Sequence, residues 1–466
     1  MRYRTEHDAL GTRKIPSTAL YGIETLRAQE NFPISGVRFP QEIYHAIAEI
    51  KLAAVQANND LGLLDNAQTK AIIRATKEIL RGMHQEHFLV DAYQAGAGTS
   101  THMNVNEVIT NRALELLGKP KGSYHIINPH DDVNKGQSTN GVFVSATTIA
   151  LHRALTPLLA ALKLVRRTLL QQSKTFRTYV KQGRTHLQDA VPITLGQEFH
   201  AHATAIALNT HYIHDVQQEL LHLNLGYNAI GTGINTHPSF SKKILSHLHK
   251  QTWTHWHAVD DHIFATQYVT RLTRVNEGLT VLATDLTKLA NDLRLLSSGP
   301  QAGFQDITLP PVQQGSSIMP GKINPSIVEM VNMVCFQVLG NAETVRLGAQ
   351  AGQLELNVMT PIIAKNLLES ITILTNALVT FEKKCLRGIT ADKDTLKTTI
   401  ENSAGLGTLL NPLIGYEKAT HVVKESLRTG KPLREIILKK GYLTRPEVDK
   451  LFHPRNMTQP NLTRKR

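Results

Sequence analysis

Val275, Leu279, Leu282, Leu286, Leu289, Leu293 and Leu296 follow one another at spacings that alternate between four and three residues. Leu367, Ile371, Leu374, Leu378 and Phe381 repeat the alternation, as do Leu151, Leu155, Leu158, Leu162 and Val165. A repeat of this kind keeps apolar side chains on one stripe of an α-helix, and long helices with such stripes pack nearly parallel or antiparallel in a bundle. The pattern therefore predicts long helices over these segments and a helical bundle at the centre of the protein. Pro157 interrupts the third series and is expected to bend that helix or to lie near its first turn. The segment QTWTHWHAV, which holds Trp253 and Trp256, reads as a connection between bundle helices.

The pattern changes on either side of this region. As far as Asn140, shorter helical stretches alternate with loops such as QAGAGTSTH and NPHDDVNKGQSTNG. Beyond Asp392 the chain reads as short helices joined by turns marked with Gly and Pro. Three domains are expected: residues 1–140 of mixed helix and loop, a long-helix bundle over 141–392, and a small helical domain over 393–466. No internal repeat or low-complexity segment modifies that division.

Composition narrows the class. The 466 residues suffice for a large core, and a 5% aromatic content with abundant Leu and Ala favours packed helices over a β-sandwich. The formal charge of +13 comes from 51 Lys and Arg against 38 Asp and Glu. These basic residues are dispersed, which suits a small anionic substrate better than a nucleic-acid surface, and no stacking aromatics are interleaved with them. The single basic run, Arg464-Lys465-Arg466, reads as a solvated tail. The N-terminal MRYRTEHDALGTRK has no apolar leader, and no apolar run approaches membrane length, so a cytoplasmic protein with no membrane partner is expected. Cys335 and Cys385 sit in apolar helical contexts without metal-ligand spacing and read as reduced, buried thiols.

Polar clusters break the helical pattern at Gly96–Asn104 (GAGTSTHMN), Gly136–Gly141 (GQSTNG) and Gln313–Ser326 (QQGSSIMPGKINPS). A fourth, Gly183–Ala190 (GRTHLQDA), is placed on a long helical stretch. Singly, each has an ordinary explanation. A Gly/Ser/Thr cluster ahead of a helix is an N-cap, His186 is a core histidine satisfied by polar neighbours, and Lys322 is an exposed surface lysine. Together they supply the hydroxyls of Thr99, Ser138, Thr139, Thr185, Ser316 and Ser317, the amides of Asn140 and Asn324, an imidazole and an ammonium. That set can hydrogen-bond a small anion bearing carboxylates, with helix N-termini adding N–H donors and a favourable dipole. A nucleotide motif is absent: the Gly-Lys pair of GSSIMPGKIN lacks the P-loop spacing and the following Ser or Thr.

Gly315–Pro325 (GSSIMPGKINP) resembles the signature loop of the fumarase/aspartase superfamily. AGAGTSTHMNVNEV, DDVNKGQSTN, GRTHLQDAVPITLGQEF and AIGTGINTHP stand in the family's order and spacing, and QLELNVMTPII and LNPLIGY continue it downstream. The resemblance thus covers nearly the whole chain. The aspartase branch is the nearer one. HDALGTRKIPSTALYGIETLRAQENFPISG is similar to its N-terminus, QSTN stands where fumarases usually carry QSSN, and AGQLELNVM and CLRGITADK point the same way.

The resemblance implies an all-α, three-domain fumarase/aspartase-like fold with a long central helical bundle, assembled as a homotetramer whose active sites are each built from three chains. It implies elimination of ammonia from L-aspartate to give fumarate through an aci-carboxylate, with Ser316 as general base. Lys322 and Asn324, aided by Thr185, are expected to grip the α-carboxylate, and Thr99, Ser138, Thr139 and Ser317 the β-carboxylate. Asn140 and His186 are expected to face the amino group, with Glu329 orienting His186. No metal and no organic cofactor is implied, since the substrate carries its own electron sink. The loop is expected to close over substrate with Gly315 and Gly321 as flexible ends. Hydration of fumarate, and a catalytically silent structural role on the same scaffold, are the rival readings. Three positions depart from the family pattern. His102 stands where Asn is usual, and Gly141 stands where an acidic residue is usual, adding backbone freedom beside Asn140. Asn128 and His130 stand where fumarases show His and Asn, so a second anion site in that region is not carried over.

Overall fold

The chain opens on a short antiparallel hairpin, β1 (Tyr3–Asp8) paired with β2 (Gly11–Pro16), in the computed structural model, which describes residues 2–401 and 403–460. The basic run at residues 464–466 lies outside the described residues. This hairpin corrects the expectation of helices and loops alone before Asn140. Its turn closes through Gly11 at a φ of +107°, a conformation that favours glycine.

Helices α1 (Ile23–Asn31), α2 (Gln41–Asp60), α3 (Asn66–Leu80) and α4 (Thr99–Leu116) follow. Helix α5 (Thr139–Thr175) leads into a second hairpin, β3 (Val180–Thr185) with β4 (Gln188–Thr194), and then into α6 (Leu195–Glu219). Strands β5 (His222–Leu223) and β6 (His257–Ala258) pair in parallel on either side of α7 (Phe240–Thr252) in the sequence. Helix α8 (His262–Gln267) precedes the long helices α9 (Thr270–Leu296), α10 (Ser326–Gln350) and α11 (Thr360–Lys384), and short helices occupy 393–457. Among the described residues the fold is all-α apart from these three two-stranded sheets.

The three apolar series lie on α5, α9 and α11, and every residue named in them is buried, none more than 6% exposed. Pro157 lies well inside α5, so its place is not the first turn. The Trp253 segment links α7 to α8, neither of which is one of the five long helices α5, α6, α9, α10 and α11, and Trp253 ends α7 in the left-handed region. Helices α5 and α11 are long and apolar enough to cross a membrane, which corrects the expectation that no segment reaches that length. Their apolar windows are 67% and 56% buried inside the protein, as the core helices of a soluble protein are.

Gly183–Ala190 is not helical. Pro192 is incompatible with a helix interior, and the residues around it alternate in burial with the period of a strand. The turn of the resulting hairpin consists of His186 and Leu187 at φ of +55° and +59°, the pairing that matches the strand twist.

The chain divides into two compact units. One comprises residues up to Leu159, His211–Val281 and Phe336–Leu374; the other comprises Ala160–Thr210, Leu282–Cys335 and Thr375 onward. In the first, buried side chains tie the long helices: Gln217 donates to the His152 carbonyl at 2.8 Å, Asn276 to that of Ala342 at 3.2 Å, and Asn341 to Ser370 at 3.1 Å. In the second, Asn209 donates to Asp285 at 2.7 Å, Asn332 to Asn291 at 2.7 Å, and Thr168 to Glu382 at 2.7 Å. Cys335 and Cys385 are free and buried there, as expected.

The first unit also holds a cap supplied from a distance. Helix α1 begins after Gly22, which has no side chain to cap it. The buried carboxylate of Glu107, on α4, accepts instead from the backbone N–H groups of Gly22, Glu24 and Thr25 at 2.8–3.1 Å and from the Thr25 hydroxyl at 2.6 Å. Burial pushes the Glu107 carboxyl up to about 7, while these donors favour its charged form, which complements the positive end of the helix dipole. Glu107→Gln replaces one accepting oxygen by a donor that faces donors. It is expected to lower the unfolding free energy by about 2–3 kcal/mol, measured by denaturant titration against the parent protein.

Candidate active site

The second unit carries the Gln313–Ser326 loop. Ser316 Oγ accepts from the backbone N–H of Met319 at 2.9 Å and of Ile318 at 3.3 Å. Two N–H dipoles aimed at one hydroxyl oxygen favour its deprotonated form. Gly315 N–H donates to the Lys322 carbonyl at 3.1 Å, and the Asn324 amide donates to the Gly315 carbonyl, so the loop's two ends are stitched together. A Cβ at Gly315 would lie 2.5 Å from Asn324 N. Gly315 is thus fixed by close approach and is not a free end, whereas Gly321, at a φ of +79°, has open space around it. Ser316 is half-buried, and Ser317 and Lys322 are exposed.

Helix α10 restarts immediately, and Glu329 lies in its first turn. Lys322, Asn324 and Glu329 line one cleft of about 960 Å³ together with Arg294, Ser297 and Ser298 from the end of α9 and the residues after it.

Thr185 and His186 occupy the tip of the second hairpin, exposed to solvent. The core-histidine reading of His186 is therefore excluded. Among the described residues no hydrogen bond or ion pair joins His186 to Glu329. The base of this hairpin is held firmly. Asp306, 3% exposed, receives Arg184 at 2.6 Å and Lys181 at 3.0 Å, and Lys181 also reaches Glu198 at 3.0 Å. The Arg184 guanidinium lies 4.1 Å from the centre of the Phe304 ring.

The remaining residues belong to the first unit. Thr99 is the first residue of α4, and Thr139 is the first of α5. His102 Nδ1 meets Thr139 Oγ1 at 2.8 Å, which sets the two helix starts side by side. Ser138 caps α5, its Oγ accepting from Asn140 N–H at 3.3 Å, so the ordinary N-cap explanation holds for this residue. Asn140 donates its side-chain N–H to the Ala229 carbonyl at 2.7 Å. The reason for Gly141 is close approach and not backbone freedom: a Cβ would lie 2.6 Å from the Asn224 carbonyl oxygen. Asn128 accepts from the backbone N–H groups of His130 and Asp131, and His130 Nε2 is 2.6 Å from Glu24. The Glu24 carboxylate raises the His130 pKa above its ordinary value. Both residues are thus committed to local partners.

Comparison with known proteins identifies the family. The lyase family matches residues 11–340, and the fumarase C C-terminal family matches residues 406–459. The chain belongs to the fumarase/aspartase superfamily. This lyase is 43% identical to an aspartate ammonia-lyase from a Bacillus species, over 98% of each chain. It is 44% identical to one from Helicobacter pylori over 99% of each, and to one from Escherichia coli K12 over 99% of this chain and 98% of that one. A crystal structure described as fumarate lyase:delta crystallin from Brucella melitensis bound to cobalt superposes with a TM-score of 0.95 at 41% identity, covering 98% of this chain and all of that one. A class II fumarase from Schistosoma mansoni gives 0.93 at 32% identity, covering 97% and 98%.

The lyase has, among the described residues, no group of three His, Cys, Asp or Glu side chains placed to hold a metal ion. Lys181, Arg184 and Asp306 are the residues that sequence reasoning passed over. Arg184 had a signal, since it adjoins Thr185, but an isolated Asp in a loop far along the chain had none. Asp306→Ala leaves the part-buried Arg184 without its carboxylate and the buried Lys181 with Glu198 alone, and is expected to cost about 3–5 kcal/mol of stability, read by denaturant unfolding. Destabilisation below about 1 kcal/mol would show that the clamp does not hold the hairpin.

Proposed function

We propose that the protein is an aspartate ammonia-lyase, eliminating ammonia from L-aspartate to give fumarate. The observation that carries the reading is 43–44% identity over essentially the full length of relatives bearing that name. The geometry of Ser316 supports its mechanism. Removing a proton from the carbon beside a carboxylate that is already charged requires stabilisation of a doubly charged aci-carboxylate. Ser316, as alkoxide, takes that proton, and the Ile318 and Met319 N–H groups favour the alkoxide. The C–H electron pair moves into the β-carboxylate, then returns to form the double bond as the C–N pair leaves with neutral ammonia. The proton taken by Ser316 is finally released, so that fumarate and ammonium are the products.

Thr99, Ser138, Thr139 and Ser317 hold the β-carboxylate in this reading. Lys322, Asn324 and Thr185 hold the α-carboxylate. Asn140 and His186 face the amino group, with Glu329 orienting His186. No metal or organic cofactor is required by the chemistry. The Gln313–Ser326 loop closes over the substrate, and Ile318, 83% exposed, is an apolar side chain such a closure covers. The active protein is a cytoplasmic homotetramer of three-domain protomers, divided at 1–140, 141–392 and 393–466, with each site built from three chains. The exposure of Thr185, His186 and Leu187 at one hairpin tip supports sites completed by a neighbouring chain.

Fumarate hydration is the second reading, favoured by the similarity to a class II fumarase. Fumarate absorbance measured separately with aspartate and with malate separates the two. Fumarate from aspartate and none from malate is expected; the converse establishes a hydratase, and neither establishes a silent scaffold. Ser316→Ala is expected to lower kcat by about 10²–10⁴-fold, and near-parental turnover would remove Ser316 as the base. Lys322→Ala is expected to raise KM for aspartate at least about tenfold, and an unchanged KM would end its assignment as a carboxylate grip.

A further inference from the structure

His102 is the position in the α4 cluster where this chain departs from its family, and the structure buries it completely. Its Nδ1 is 2.8 Å from Thr139 Oγ1, while its Nε2 is buried without a hydrogen-bond partner. Two neutral tautomers fit that contact. With the proton on Nε2, a buried N–H has no acceptor, and Nδ1 consumes the only proton of the Thr139 hydroxyl. With the proton on Nδ1, the imidazole donates to Thr139, and only a lone pair at Nε2 is left unfilled. Buried N–H groups without acceptors are rarer than acceptors with an unused lone pair, so the second tautomer is favoured. The imidazolium form is disfavoured first by burial, and secondarily by the nearby basic groups Lys51 and His130, of which Lys51 has its own pKa pushed well down by burial. Lys51 is itself buried, its Nζ donating to Asn134 Oδ1 at 2.8 Å.

We infer that His102 is a positioning residue: by donating its Nδ1–H to Thr139 Oγ1, it frees the threonine's own proton for a substrate carboxylate. A hydroxyl has one proton and two lone pairs. Occupying a lone pair with the imidazole N–H removes the competing use of the proton and polarises the O–H bond that the carboxylate receives. The inference rests on the proposed role of Thr139 in holding the β-carboxylate. An Asn side chain at this position could also offer an N–H to Thr139, whereas His102 does so with a second nitrogen that remains unpaired.

Neutron diffraction from crystals of the parent protein tests the tautomer without any variant or ligand. A proton on Nδ1 and none on Nε2 is expected; a proton on Nε2 overturns the inference. In solution, His102→Leu is expected to raise Kd for succinate, a dicarboxylate that cannot react, by about tenfold, and to lower kcat/KM for aspartate by at least about tenfold, because the β-carboxylate that Thr139 holds gains charge in the transition state. His102→Asn is expected to restore both constants. A folded His102→Leu variant that binds succinate as tightly as the parent overturns the inference. Parent protein that binds succinate but forms no fumarate from aspartate refutes the proposed reaction instead, and the succinate comparison still tests His102.

Discussion

Burial of a continuous apolar stripe on each long helix is the constraint on which the rest of this structure depends. A stripe with a 3.5-residue repeat can be removed from water only if the whole helix stays in register with its neighbours, because a slip of one residue turns the stripe by roughly a quarter of a turn. The named stripe residues of α5, α9 and α11 are all buried. Buried amides and hydroxyls then tie each of the five long helices to others at fixed heights, as Asn341 does to Ser370 and Asn332 to Asn291. Register fixes where each helix begins, and several of the proposed site residues stand at helix beginnings.

Thr99 opens α4, Thr139 opens α5, and Asn324 stands just ahead of α10 with Glu329 in its first turn. A helix start presents N–H groups that lack intrahelical acceptors, together with the positive end of the dipole. Side chains there supply hydroxyls and amides without disturbing the apolar stripe. This division of labour lets a chain devoted to packed helices also carry the proposed anion site. The second hairpin is held differently. The second hairpin has no stripe to anchor it, and the Lys181–Asp306–Arg184 clamp holds it in place of apolar packing at its tip.

The stripes, the long helices and the polar clusters were legible in the sequence because each is a local pattern. Periodicity is written in consecutive residues, and so is GSSIMPGKINP. The hairpin around His186 was missed because GRTHLQDA was read as helix, although Pro192 lay two residues beyond it. Gly141 was legible as a departure but not in its cause, because the Asn224 carbonyl that requires it is distant in sequence. The same holds for Glu107, whose role as a cap of α1 depends on a partner more than eighty residues away. His102 stands out by its place in the motif, but its pairing with Thr139 is made by the fold.

In the proposed tetramer each site is completed by neighbouring chains, a reading supported by the exposure of His186 at a hairpin tip. Subunit mixing tests this most directly. Two separately inactive variants, His186→Ala and Ser316→Ala, are unfolded together and refolded as hybrids, and fumarate formation from aspartate is followed. If the two residues of one site come from different chains, some sites in the hybrids hold both native side chains, and activity returns. Hybrids that assemble fully and remain as inactive as their parents would place both residues in one chain and contradict the account.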